Sequence, residues 1–126
     1  MILDSDIIIG FLRNDEEIVK EIEELREKET KLSTTSVNVM EILKGFFALN
    51  KKEEKILEFI NNLTILNFDF NSSMIAAEIF DELKRKGQII DSLDLLIASV
   101  VIANNETLWT KNNKHFNRIS RLNIKN

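Results

Sequence analysis

The chain of 126 residues contains no cysteine, no proline and no tyrosine, and only three glycines and one histidine. Lack of cysteine excludes disulfide frameworks, thiol nucleophiles, iron–sulfur clusters and thiolate-bound zinc, and favours a reducing compartment. A single histidine excludes catalysis by paired imidazoles. No apolar run approaches the roughly 18 residues of a membrane span, and no basic segment precedes an apolar stretch at the N-terminus. The expectation is a cytoplasmic protein that enters no membrane and is not exported. Positive charge is also scarce: the formal net charge is −4, which argues against holding a polyanion by bulk charge alone.

What is present describes a folded, helix-rich globule. Hydrophobic residues make up 44% of the chain, with eighteen isoleucines and eight phenylalanines, and 30% are charged. That composition suits one ordinary core, so residues 1–126 are expected to form a single domain. The charges are segregated. Residues 13–31 carry eight acids against five bases, whereas 107–126 carry Lys111, Lys114, Arg118, Arg121 and Lys125 and no acid. Such runs are commonly solvated faces, but the C-terminal one is also suited to facing a phosphate backbone, with Lys111, Lys114 and Arg118 as candidate substrate contacts.

Hydrophobic periodicity gives an alternating order of elements. Met1 to Leu3 reads as a strand, followed by a turn at Asp4 and a helix through Ile7 to Leu12. Glu16 to Lys28 places Ile18, Ile22 and Leu25 at helical spacing. Leu32 to Ser36 is a short strand, and Val37 to Leu49 a core helix with Ser36 as its expected N-cap. Glu53 to Leu63 repeats the amphipathic pattern, Leu63 to Phe68 reads as a strand, and Ser72 to Lys86 as a helix stopped by Gly87. Asp91 to Ala103 is a nearly apolar, buried helix. Thr107 to Thr110 and Leu122 to Ile124 supply two more strands. This alternation predicts an α/β fold in three layers, a mostly parallel central sheet with helices on both faces.

In such a sheet, ligands bind beyond the carboxyl ends of the strands. Polar residues there are Asp4 and Asp6 after the first strand, Glu41 one turn into a core helix, and Asp91 and Asp94 at the start of the apolar helix. Each has an ordinary explanation. Asp4, Asp6 or Asp91 is suited to capping a helix, at about 0.3–1 kcal/mol from the helix dipole. Glu41 is spaced to pair with Lys44, worth about 0.2–0.5 kcal/mol. Together the explanations weaken, because Glu41 and Asp94 interrupt apolar stretches where an unpaired carboxylate is costly. Carboxylates converging from separate elements repel unless a cation lies among them. Oxygen-only ligation suits Mg²⁺ or Mn²⁺, which lowers the pKa of water and stabilises charge on a phosphodiester in hydrolysis, so no histidine base is needed.

At these positions the sequence resembles the PIN-domain family, in particular the VapC-type toxins of toxin–antitoxin pairs. Ile2-Leu3-Asp4-Ser5-Asp6 followed by Ile7, Ile8 and Ile9 is similar to the family's leading strand and its first aspartate. Ser36 with Glu41, Leu43 and Gly45 resembles the second motif. Gly87, Ile90 and Asp94-Leu95-Leu96-Ile97-Ala98 match the third at its usual spacing. Thr110, Asn112 and Phe116 match the last, where the Asn112 position is aspartate in many members.

The resemblance implies a Mg²⁺-dependent endoribonuclease (Mn²⁺ a possible substitute) of compact α/β fold, usually a homodimer, held inactive by a cognate antitoxin. It assigns Asp4 and Asp94 to the metal and Glu41 to the metal or to orienting water. Asp6 and Asp91 are second choices, with capping the alternative role. Ser36 and Thr110 are candidates for hydrogen-bonding the carboxylates, and Asn112 for facing them. Gly45 leaves room for substrate or permits close helix packing. Trp109 and His115 read as packing or surface residues. Apolar Gly45 to Leu49 and Ile75 to Phe80 offer a twofold interface. A PIN-type nuclease of RNA processing or quality control, and a non-catalytic interaction module, are the alternatives.

Overall fold

The computed structural model describes residues 1–49 and 54–125. Five short strands, β1 (Ile2–Leu3), β2 (Ser33–Thr35), β3 (Thr64–Leu66), β4 (Thr107–Trp109) and β5 (Asn123–Ile124), form one sheet in the order β3-β2-β1-β4-β5. Every pairing is parallel. The helices are α1 (Ser5–Leu12) and α2 (Glu16–Glu27) after β1, α3 (Ser36–Ala48) and α4 (Glu54–Asn61) after β2, α5 (Phe70–Arg85) and α6 (Ser92–Ala103) after β3, and the one-turn α7 (Asn113–Phe116) after β4. Glu53, the expected start of the fourth helix, lies outside the described residues.

Strand alternation splits the core into two layers. Ile2 and Leu108 face a cluster with Ile79, Leu83, Ile97 and Val101 from α5 and α6. Their neighbours Leu3 and Trp109 face a second, with Ile7, Ile18, Ile22, Ile42 and Phe59 from α1 to α4. This period of two is what a strand buried on both faces requires. Full burial of a residue such as Ile18 or Ile22 contributes about 1.5–3 kcal/mol. It also explains why acid-rich α2 remains a helix: its charges lie outside and its isoleucines inside. At the α1–α2 crossing a Cβ on Gly10 would come within 2.3 Å of Ile18 Cδ1, so the two helices meet at hydrogen-sized contact. Gly87, at φ +64°, ends the α5 segment in the left-handed region.

Of the expected caps, Asp91 caps α6 and Asp4 caps α1 by accepting from the Ser5 N–H, and Asp15, not foreseen, caps α2. The N-cap of α3 is Thr35, not Ser36; its hydroxyl accepts from the Asn38 N–H at 3.1 Å. Of four consecutive hydroxyl residues, 33–36, the cap is the last residue still extended, and Ser36 has already entered the helix.

β1 is central, and the chain runs outward from it to β3, then crosses back to β4 on its other side. The reversal lies between β1 and β4. At such a switch point the loops after adjacent strands diverge and leave a crevice.

Candidate active site

Asp4 follows β1, Thr110 follows β4, and Asn38 and Glu41 lie on successive turns of α3. Asp4 is 6% exposed. Its Oδ1 accepts from the Ser5 N–H at 2.9 Å and the Asn38 amide at 2.8 Å, and its Oδ2 accepts from the Thr110 hydroxyl at 2.6 Å. Burial nonetheless raises the Asp4 carboxyl above the usual range, and the Asp6 charge adds to this against its hydrogen bonds.

Asn38 has no exposed surface, and every hydrogen-bonding group of its side chain is used. The Thr35 hydroxyl donates to Asn38 Oδ1 at 2.7 Å, which turns the NH₂ group toward the site. That group donates to Asp4 Oδ1 and to Ser5 Oγ, the latter at 2.8 Å. The Ser5 hydroxyl, thus fixed, donates to Glu41 Oε1 at 3.0 Å. A directed chain runs from Thr35 through Asn38 to two carboxylates. Glu41 is pushed up by burial, which the Ser5 bond opposes and the charges of Asp4, Asp94 and Asp91 reinforce.

Asp94, in the first turn of α6, faces the loop after β4 from the other side. Its Oδ2 lies 3.0 Å from His115 Nδ1 and 3.4 Å from Asn112 Nδ2. Asn112 is drawn in by its own N–H, which donates to Thr110 Oγ1 at 3.0 Å. Asp6 fastens the same loop by accepting from the Lys111 N–H at 2.9 Å, while its Oδ1 is buried without a partner. Burial raises Asp6 as well.

Among the described residues, no three histidine, aspartate or glutamate side chains are gathered closely enough to hold an ion between them as they stand. Like charges keep apart, and each acid has turned to neutral donors. The donor chemistry still fits a hard divalent cation: carboxylate oxygens from three elements, Glu41 raised by burial and further by the charges of Asp4, Asp94 and Asp91, and an orphaned carboxylate oxygen on Asp6.

A model of the PIN domain matches residues 1–122. The chain belongs to the PIN-domain family. It is 34% identical to the Ribonuclease VapC2 of Rickettsia felis, over 98% of this chain and 95% of that protein. It is 29% identical to the Ribonuclease VapC1 of Methanocaldococcus jannaschii, over 99% of this chain and 85% of that one. The crystal structure of VapBC2 from Rickettsia felis bound to a DNA fragment from their promoter contains a chain that superposes with a TM-score of 0.90 at 32% identity, covering 99% of this chain and 96% of that one.

On this PIN fold the sequence-derived candidates separate. Thr110 bonds the carboxylates of Asp4 and Asp6 and accepts from the Asn112 N–H, Asn112 reaches Asp94, and Glu41 joins Asp4 through Ser5 and Asn38. Ser36 does not: its Oγ accepts from the Phe68 N–H at 3.4 Å, and Thr35 and Asn38 take the place expected of it. Asp91 is an exposed cap whose side chain accepts from the Leu93 N–H at 2.9 Å. Asp6 caps nothing. Glu41 forms no ion pair with Lys44 among the described residues and uses Ser5 instead. Gly45 is not a packing glycine, since a Cβ there would meet no atom within 4 Å. Lys111 is paired with Asp15 at 3.2 Å, and Arg118 donates to the Ile89 carbonyl at 3.0 Å. Lys114 is exposed. Trp109 is core, with the Lys125 ammonium 4.6 Å above its ring. His115, read as packing or surface, lies on Asp94. The sequence reading missed Ser5, Asn38 and His115. The signals were the amide two residues beyond a serine and threonine run, and a histidine at the start of the last helix.

Proposed function

We propose that this protein is a Mg²⁺-dependent endoribonuclease of the cytoplasm, the toxin of a toxin–antitoxin pair, with residues 1–126 forming one PIN domain. The observation that carries this reading is the convergence of Asp4, Glu41 and Asp94, from three separate elements, on the crevice between β1 and β4. The VapC names of its relatives and the VapBC complex that it superposes on support the activity and the antitoxin partner.

Asp4, Glu41 and Asp94 are the residues to hold the cation, with Asp6 at its margin. When bound, the ion supplies an acidified water and positive charge against the reacting phosphate. Thr110 and Asn38 favour the charged form of Asp4 against its burial and keep it aimed, so that it need not reorganise. Ser5 orients Glu41 with one carboxylate oxygen left over. Asn112 and His115 hold Asp94 by Oδ2 and leave Oδ1 uncommitted. A basic side chain of the antitoxin reaching this crevice would compete with cation and substrate for the same acids. Phe47, Phe70 and Phe80, at 64%, 79% and 46% exposure, expose apolar surface suited to a homodimer.

The test is cleavage of single-stranded RNA by antitoxin-free protein. Cleavage is expected with Mg²⁺ or Mn²⁺ and none in excess EDTA. Activity that survives EDTA in the wild type and is absent from Asp94→Asn would overturn the metal mechanism.

A further inference from the structure

Two depressions flank Glu41 and share it and Gly45 as their common wall. One, of about 250 Å³, is bounded by Arg13, Phe46 and Leu49. The other, of about 230 Å³, is bounded by Lys44, Ala48 and Leu93. Gly45 is the saddle between them: any side chain there would stand in the open space above α3.

The cations near the acids divide into bound and unbound ones. Lys111, Arg121 and Lys125 are bound to Asp15, Glu78 and Glu21, and Arg118 is tied to a carbonyl. Arg13 and Lys44, like Lys114 on α7, are exposed and have no acidic partner among the described residues, and Arg13 and Lys44 are the two that line these depressions. A phosphate chain approaching Asp4, Glu41 and Asp94 meets repulsion, and needs positive charge on both sides of the acids to be held across them. Arg13 and Lys44 stand on those two sides. The apolar wall of Phe46 and Leu49 gives a base a surface to lie against.

We propose that a single RNA strand crosses α3 at Gly45, with phosphates contacting Arg13 on one side of Glu41 and Lys44 on the other. This rests on the ribonuclease reading and assigns that site its substrate path. The absent side chain at Gly45 is the passage. The four-residue step from Glu41 to Gly45, one turn of α3, brings the strand past Glu41 at the height of that helix. The mixed charge suits a single strand, because a rigid duplex cannot settle into two depressions separated by one helical turn.

The experiment combines steady-state cleavage of single-stranded RNA with fluorescence anisotropy of the same labelled RNA on Asp94→Asn protein. Gly45→Leu is expected to raise KM by about tenfold or more, the loss of about one base contact. Its kcat should stay near that of the wild type and its melting temperature should not fall, since the side chain meets no neighbour. Arg13→Gln and Lys44→Gln should each reduce the slope of log affinity against log salt by about 0.7, one phosphate contact on a single strand. Arg121→Gln, which removes a cation held by Glu78, should leave the slope unchanged. Wild-type cleavage with unaltered KM and slopes in all three variants overturns the path while the ribonuclease reading stands. Weakened inhibition by the antitoxin with unaltered RNA kinetics in Gly45→Leu assigns the saddle to a protein partner and overturns it as well. A wild type that neither binds nor cuts RNA removes both.

Discussion

The two sides of the crevice are built differently. On the β1 side, Asp4 is buried and held by three donors, and the amide that holds it is itself fixed by Thr35. On the α6 side, Asp94 is 17% exposed in its side chain and is reached by His115, which is 38% exposed. One acid is preset in a low-dielectric pocket; the other is tethered where water can replace its partners. A cation recruited to this site would find one rigid ligand and draw in the mobile ones. The difference also locates the cost of function: a buried, raised carboxylate is a stability penalty at neutral pH that the folded protein carries before anything binds.

The strongest way to break the comparison is to neutralise each acid in turn. Asp4→Asn and Asp94→Asn are both expected to lower RNA cleavage beyond the about 100-fold limit typical of outer partners of a metal ligand. Asp91→Asn keeps its capping role and should retain most activity, since asparagine caps as well as aspartate. Thermal melting separates the two sides. Asp4 is raised in the folded state, so its contribution to stability is fully present below its ordinary value of 3.8 and is lost as pH rises through the folded value. Glu41 acts in the same sense from 4.5 upward. Metal-free protein should therefore gain from Asp4 and Glu41, and from Asp6, which burial raises as well, as the pH is lowered from neutral toward their ordinary values, and Asp4→Asn should flatten that gain. Asp15 and Asp69 have lowered values and oppose it only below 3.8. An inactive Asp91→Asn beside an active Asp94→Asn would reverse the assignment.

A smaller effect tests the rigidity itself. Asn38→Leu keeps the shape of the amide but strips donors from Asp4 and Ser5 and leaves the Thr35 hydroxyl proton without its acceptor. It is expected to cost about 1–3 kcal/mol in stability and about 10–100-fold in Mn²⁺ affinity, read by calorimetry without RNA. His115→Ala removes a partner that water replaces, and should change Mn²⁺ affinity by less than about threefold, well below that range. Equal losses from the two variants would erase the distinction between a preset and a tethered side. The smallest change sharpens it. Asn112→Asp places a fourth acid beside Asp94, where Asn112 Nδ2 now lies 3.4 Å from Oδ2. Affinity for Mn²⁺ is expected to rise severalfold, because each added carboxylate strengthens binding of a hard cation. Unchanged affinity would remove Asn112 from the site.

The layered fold was legible because strand and helix periods alternate cleanly along the chain and no proline interrupts them. Asp4, Glu41 and Asp94 were legible as candidates because Glu41 and Asp94 break apolar stretches, where an unpaired carboxylate is costly, and Asp4 follows the first strand. What holds them was not. Asn38 draws its partners from residues 3, 33 and 34 positions away, and a buried amide leaves no periodic trace. The cap of α3 was misplaced by one residue because Ser33, Thr34, Thr35 and Ser36 are chemically alike, and only the exact point where the chain leaves the extended conformation distinguishes them. The cationic C-terminal segment looked like a phosphate-binding face because sequence counts charges without their partners; Asp15, Glu21 and Glu78 had already claimed three of them.

The bond from Thr110 to Asp4 spans 106 positions, and β1 pairs with β4, which is among the last elements of the chain. During synthesis the first strand leaves the ribosome with its aspartate, and β2 is the only neighbour that can join it early. The other half of its crevice, with Asp94, Thr110 and Asn112, follows much later in the chain. Domains gain their late contacts only when the chain that makes them has emerged. Until β4 arrives, β1 keeps an open sheet edge on that side and Asp4 lacks the Thr110 hydroxyl, so a chain folding from its earlier residues carries this half of the crevice unformed.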